Sequence, residues 1–175
     1  QITGGLVKAD DESLLPVSSQ KLELVKEILE ERRGDKTVIF FSFTHEIRIV
    51  REWCEKQGIG YLELSGQVPQ KDREVFEDRF QEEPEHEVAL IQIQTGAEGL
   101  TLTAADFEIF YSPTFSWLLF AQARDRLDRI GQERLVKCAF LIMEQTVDET
   151  IVSVLESNSQ LVDTYLEQKR NYQHD

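Results

Sequence analysis

Gln122, Arg126 and Arg129 stand at offsets of 0, 4 and 7 in the stretch QARDRLDRIGQ (122–132). On an α-helix these offsets share one stripe, so the spacing predicts two guanidinium groups aimed the same way. A guanidinium is a planar, permanently charged donor fork, and a pair of them suits an anion such as a phosphate. The competing reading is an exposed, salt-bridged helix, with Arg124 and Asp128, and Asp125 and Arg129, each four residues apart. Gly131 suits the C-terminus of either helix.

Further along the chemistry-bearing residues, QTGAEGLT (94–101) follows an apolar run. Its Gly96 and Gly99 allow a backbone to approach a ligand closely and to aim N–H groups at an anion, or they simply turn a strand into a helix. Ser42, Thr44, Ser65 and Thr114 fall at turns after predicted strands. Hydroxyls there either position a phosphodiester backbone or cap the next helix. GDKT (34–37) looks like the tail of a P-loop, but Leu29 occupies the place of the first glycine, and a strand follows instead of preceding. VDET (147–150) looks like an acidic Mg²⁺ box, yet it reads better as a helix start with Asp148 and Glu149 at the positive end of the dipole. The chain is therefore expected to hold neither a phosphate cradle nor a metal site of its own. Cys54 and Cys138 are far apart and read as buried structural thiols of a reducing compartment. His45, His86 and His174 have no ligand spacing.

The elements that must position these residues alternate. A helix with Leu22, Val25, Ile28 and Leu29 on one face, capped by Ser18 or Ser19, ends near Gly34. TVIFFSF (37–43) is a continuous β-rich run, as in a strand covered on both faces. Then come a helix over 45–57 closed by Gly58, a strand at 59–64, and a helix from Pro69 with Val75, Phe76 and Phe80 inward. Strands at 87–93, 107–112 and 136–142, the arginine helix over 116–130, and helices over 147–157 and 158–170 complete the chain. Such alternation implies a mostly parallel, doubly wound α/β sheet of about five to six strands, helices on both faces, with ligands beyond the carboxyl ends of the strands.

A length of 175 residues with 41% hydrophobic content fits one domain with a real core. The net charge of −14 argues against a cationic, sequence-independent nucleic-acid binder. Residues 112–137 are locally +2 nonetheless, leaving −16 for the rest. No run of 18 apolar residues is present, so no membrane span is expected, and the composition reads as cytoplasmic.

Taken together, four ordered stretches resemble the second RecA-like lobe of Swi/Snf-type DNA translocases in helicase superfamily two. QARDRLDRIGQ fits every fixed position of the family's motif Q-A-x-D-R-x-x-R-x-G-Q. KTVIFFSFTHEIRIV (36–50), YLELSGQVPQKDREVFEDRF (61–80) and GAEGLTLTAAD (96–106) resemble the motifs that precede it. Thr101 stands where many members carry Asn, Asp128 where many carry His, and Ala97 where a second glycine is common; these departures suggest a divergent bacterial or phage branch. The resemblance implies a DNA-associated lobe at 18–145, residues 1–17 continuing from an upstream lobe, and bracing helices at 146–175.

What the resemblance implies for chemistry is specific. An N-terminal RecA-like lobe of the same polypeptide would hold most of ATP and Mg²⁺. Arg129 is the first candidate arginine finger and Arg126 the second phosphate contact. Gln122, Gly96, Glu98, Gly99 and Thr101 are the candidate nucleotide-side residues. Ser42, Thr44, Ser65, Gly66, Arg73, Gln94 and Thr114 would track the backbone of double-stranded DNA. Two alternatives stand beside this reading: an RNA-directed lobe of the same superfamily, and a non-catalytic α/β module docking an acidic partner through its arginines.

Overall fold

The run TVIFF is buried at all five positions, and it forms the middle of the sheet. The computed structural model describes residues 6–8, 14–16, 20–95 and 99–172. In chain order the elements are β1 (Leu6–Lys8), β2 (Leu14–Pro16), α1 (Gln20–Glu31), β3 (Thr37–Phe41), α2 (Thr44–Gln57), β4 (Tyr61–Leu64), α3 (Gln70–Glu74), α4 (Phe76–Glu82), β5 (Val88–Gln92), β6 (Phe107–Phe110), α5 (Trp117–Arg124), β7 (Lys137–Phe140) and α6 (Val147–Tyr172). Strands β1 and β2 pair antiparallel. The other five form a parallel sheet in the order β4-β5-β3-β6-β7.

Alternation along β3 separates two cores. Ile39 and Phe41 pack with Val25 and Leu29 of α1 and Ile47, Val50 and Trp53 of α2. Val38 and Phe40 pack with Phe76 and Phe80 of α4, Phe120 and Ala123 of α5, and Ile151 and Leu155 of α6. A stack of Phe40, Phe110 and Phe140 at centroid distances of 5.2 and 5.1 Å crosses three strands on that face. Helices thus cover both faces, which is the RecA-like doubly wound arrangement the alternation anticipates. Because α2 leaves β3 toward one face and α5 leaves β6 toward the other, the sheet has its topological switch point between β3 and β6.

Several elements differ from expectation. The caps expected at Ser18 or Ser19 lie outside the described residues. Val75 adopts φ −100°, ψ −1° and splits the expected third helix into α3 and α4. That break turns Val75 outward to 44% exposure, while Phe76 and Phe80 stay buried. The two expected closing helices are one, α6, within which the Ser157 hydroxyl donates back to the Ser153 carbonyl at 2.9 Å. Gly58 closes α2 as expected, in the left-handed region at φ 65°. Cys54 is buried, but Cys138 is exposed because β7 is an edge strand.

The least anticipated feature is a buried charge cluster at the carboxyl ends of the central strands. Lys21 is 1% exposed; its Nζ lies 2.6 Å from Asp148 Oδ2 and donates to the Tyr111 carbonyl at 3.0 Å. Asp148 also accepts the Met143 N–H at 3.2 Å. Beside them the Ser112 hydroxyl donates to Glu46 Oε2 at 2.6 Å. Burial pushes the Glu46 carboxyl up to about 7, against the pull of the Ser112 hydrogen bond and the Lys21 charge. The pair Lys21–Asp148 therefore ties α1, the end of β6 and the start of α6 together. Removing one partner strands the other charge in the core, at a cost of about 3–5 kcal/mol. Lys21→Met is expected to lower the urea midpoint accordingly, and Lys21→Met/Asp148→Leu to recover most of the loss; equal midpoints for wild type and Lys21→Met would remove the pair from the stability of the lobe.

Candidate motor-lobe site

The arginine stretch does not continue as the predicted helix. α5 ends at Arg124, and the Arg126 and Leu127 N–H groups bond back only three residues, to Ala123 and Arg124. The physical reason is that the Arg126 carbonyl leaves the helical ladder and accepts the Leu102 N–H at 2.8 Å. Gly131 accordingly lies beyond a turn at φ 104°, not at the helix end. The stripe of Gln122, Arg126 and Arg129 is replaced by a finger turn. Gln122 stays half-buried in the last turn of α5, Arg126 is 5% exposed, and Arg129 faces solvent.

This turn is clamped to the segment that leads from β5 to β6. Arg129 Nη1 donates to the Gly99 carbonyl at 3.4 Å, and its Nε to the Asp125 carbonyl at 2.8 Å. Gln132 Nε2 reaches the carbonyls of Thr103, Ala105 and Leu127 at 3.2, 2.8 and 3.2 Å, while its Oε1 accepts the Arg134 N–H at 3.0 Å. From the other side α4 holds the same segment. Glu77 Oε2 accepts the Thr101 N–H at 2.9 Å, and Gln81 bonds both Thr103 Oγ1 and the Ala104 N–H. The structure thus gathers Arg126, Arg129, Gly99 and Thr101. Gly96 and Glu98 lie outside the described residues.

Burial, and after it the charge of Arg129, lowers the Arg126 pKa; Asp125 and Glu77 oppose that shift. A guanidinium keeps its charge under such shifts, so the site holds two neighbouring cations, one nearly desolvated. An anion placed against both relieves the repulsion. Neither Arg124 nor Arg129 supports the salt-bridged-helix reading: Arg124 pairs with Glu108, and Arg129 bonds main-chain carbonyls.

The hydroxyl rim is a second region. At the switch point the Ser42 N–H donates to Ser112 Oγ at 2.7 Å and Ser42 Oγ to the Ser112 carbonyl at 2.9 Å. They open onto a cleft of about 750 Å³ that Gln94, Thr114, Phe43 and Phe115 also line. Thr44 begins α2, and Thr114 Oγ1 accepts the Ser116 N–H at 3.3 Å, a turn-shaping bond. Ser116, not one of the four expected hydroxyls, caps α5 through the Leu119 N–H. Ser65 is a correction: it is fully buried, and its hydroxyl donates to Glu63 at 2.8 Å. Arg73 is likewise committed, Nε to the Val68 carbonyl and Nη2 to the Ser65 carbonyl. Gly66 is exposed, with its N–H bonded to the Gln92 side chain at 3.1 Å.

Sequence reasoning missed Glu77, Gln81 and the staple role of Gln132. The first two had a signal: they follow Phe76 and Phe80, each by one position, so a second stripe of α4 is polar and inward-facing.

A five-stranded parallel lobe that clamps an arginine turn against the segment between its third and fourth strands in chain order, β5 and β6, is a helicase-like motor lobe. The chain belongs to the helicase conserved C-terminal domain family, which matches residues 20–131. It is 30% identical over 140 residues to the DNA repair protein rad8 of Schizosaccharomyces pombe, covering 80% of this chain and 12% of that protein. It is 32% identical over 144 residues to the helicase swr1 of the same yeast, covering 81% of this chain and 11% of that one. The crystal structure of the C-terminal part of the Fun30 ATPase domain matches with a TM-score of 0.72 at 26% identity, over 79% of this chain and 46% of that chain. These relatives bear out the Swi/Snf-type resemblance. The chain spans about a tenth of the length of the curated relatives it matches. Those relatives are eukaryotic and give the bacterial or phage expectation no support.

Gln132→Leu removes the amide that reaches three carbonyls. It is expected to destabilise the lobe by about 2 kcal/mol and to speed amide exchange in the segment 101–106. Unchanged exchange there would mean that the Leu102–Arg126 bond and the Glu77 and Gln81 contacts hold the segment without Gln132.

Proposed function

We propose that this chain is the C-terminal lobe of an ATP-dependent DNA translocase, supplying arginine fingers and part of the DNA-backbone track. The observation that carries the reading is the desolvated Arg126 beside the exposed Arg129, both clamped to the segment containing Gly99 and Thr101. Charge spreads over the phosphoryl oxygens in the transition state of ATP hydrolysis, and paired guanidinium donors match it. Arg129, exposed and reaching past the turn, is the finger. Arg126, held by its own carbonyl, is the fixed second contact. Gln122 lies in the turn of α5 before them and couples that contact to the helix.

Mg²⁺ and the bulk of the triphosphate belong to the N-terminal lobe, which supplies the metal's charge neutralisation. This chain's own residues bring positive charge to the γ-phosphate when the cleft closes. On the switch-point rim, Ser42, Thr44, Gln94 and Thr114 offer neutral hydrogen-bonding groups to a phosphodiester backbone, a contact without sequence specificity. Ser65 and Arg73 shape the turn at 65–68 that presents Gly66.

The test is ATP hydrolysis by the parent polypeptide, with and without duplex DNA. Double-stranded DNA is expected to stimulate turnover, and Arg129→Ala to cost on the order of 10³-fold in rate while leaving DNA binding intact. Arg129→Lys is expected not to rescue, because a point charge lacks the planar fork. The isolated 175 residues are expected to hydrolyse no ATP. Turnover indifferent to DNA, stimulation by RNA alone, or a silent Arg129→Ala would each overturn the assignment.

A further inference from the structure

Among the described residues Glu108 is the one fully buried carboxylate on the sheet face beneath α5, and the finger turn makes no direct use of it. It lies on β6, in register with Cys138 on the edge strand β7. Its carboxylate stands 3.4 Å from Arg124 Nε, with the Arg124 side chain 45% exposed and Glu108 at 0%. Both the guanidinium and the Cys138 thiol lean on it, and neither is aligned as a full hydrogen bond to either oxygen. A buried acid held this loosely is costly.

Arg124 connects that acid to the fingers. It is the last residue of α5, and its carbonyl accepts the N–H groups of both Leu127 and Asp128, at 3.1 and 3.3 Å. The turn bearing Arg126 and Arg129 therefore hangs from Arg124. The Arg124 side chain also lies over the Phe120 ring, 5.9 Å from its centroid. One residue thus fixes the turn by its main chain and is itself fixed by its side chain to β6.

Resting on the functional reading above, we infer that Glu108 is a positioning residue for the arginine fingers, pinning Arg124 so that the finger turn keeps its geometry while the lobe moves. The charged and titratable groups that face it are Arg124, Asp128 and Cys138. Burial pushes the Glu108 carboxyl up to about 7, opposed by Arg124 and the Cys138 contact and reinforced by Asp128. The sign follows. Below that value Glu108 takes up a proton, the attraction for Arg124 is lost, and the pin loosens; above it, the pair is ionic.

The experiment is DNA-stimulated ATP turnover by the parent polypeptide from about pH 6 to about pH 8, with kcat and KM separated. Wild-type kcat is expected to rise through about pH 7 on a limb that Glu108→Gln abolishes. Glu108→Gln is expected to lower kcat by on the order of ten-fold at the upper pH with KM for ATP unchanged. Glu108→Leu/Arg124→Leu fills the same space without charge; it is expected to unfold no earlier than wild type and to keep the low, flat kcat. Glu108→Gln with wild-type kcat and limb, or full turnover in the apolar pair, overturns the pin. Wild-type turnover that DNA does not stimulate instead fails the functional reading itself, so the two failures are distinct.

Discussion

Two guanidinium groups repel each other, and this lobe holds Arg126 and Arg129 on one short turn regardless. Much of the surrounding architecture is the cost of that constraint. The Arg126 carbonyl gives up its helical partner for Leu102, Gln132 spans to Thr103 and Ala105, and Glu77 and Gln81 grip the same segment from α4. Main-chain bonds serve better here than acidic side chains would. A carboxylate paired with either guanidinium would neutralise the charge that the proposed phosphate contact requires. The bonds described for Arg129 run to the main-chain carbonyls of Asp125 and Gly99, and Gln132 fixes the turn through neutral carbonyls and amides.

The sheet separates this turn from the second surface. Gly99 and Thr101, proposed for the nucleotide side, lie on the segment that returns from the end of β5 to the start of β6, whereas the hydroxyl rim lies where β3 and β6 send their helices to opposite faces. Ser42 and Ser112 bond across the two strands at that point. The buried cluster of Lys21, Asp148, Glu46 and Ser112 lies directly beneath it. A rim built on hydrogen-bonded, buried polar groups is held in one arrangement by those bonds.

The layered fold was legible because its signal is periodic: TVIFF and VALIQ could only be strands covered twice, and Gly58 could only close a helix. The boundary of α5 was not. QARDRLDRIGQ has helical spacing throughout, and the bond that ends the helix comes from Leu102, twenty-four residues upstream of Arg126. Arg126, Arg129, Gly99 and Thr101 were found as a group through ordered motifs, without their geometry. Ser65 and Arg73 show the limit from the other side, since polar residues in a turn are as readily consumed by that turn as presented by it. The Lys21–Asp148 pair joins residues 127 positions apart, which no local pattern encodes.

α6 has a mechanical consequence. It runs 26 residues, about 39 Å at the usual helical rise. Among its described side chains, the buried ones, Asp148, Ile151, Val152 and Leu155, all lie in its first third. The Lys21–Asp148 pair anchors the start of this helix. From that anchor to Tyr172 is about 36 Å of helix, so a rotation of about 10° there would carry a straight helix end through about 6 Å.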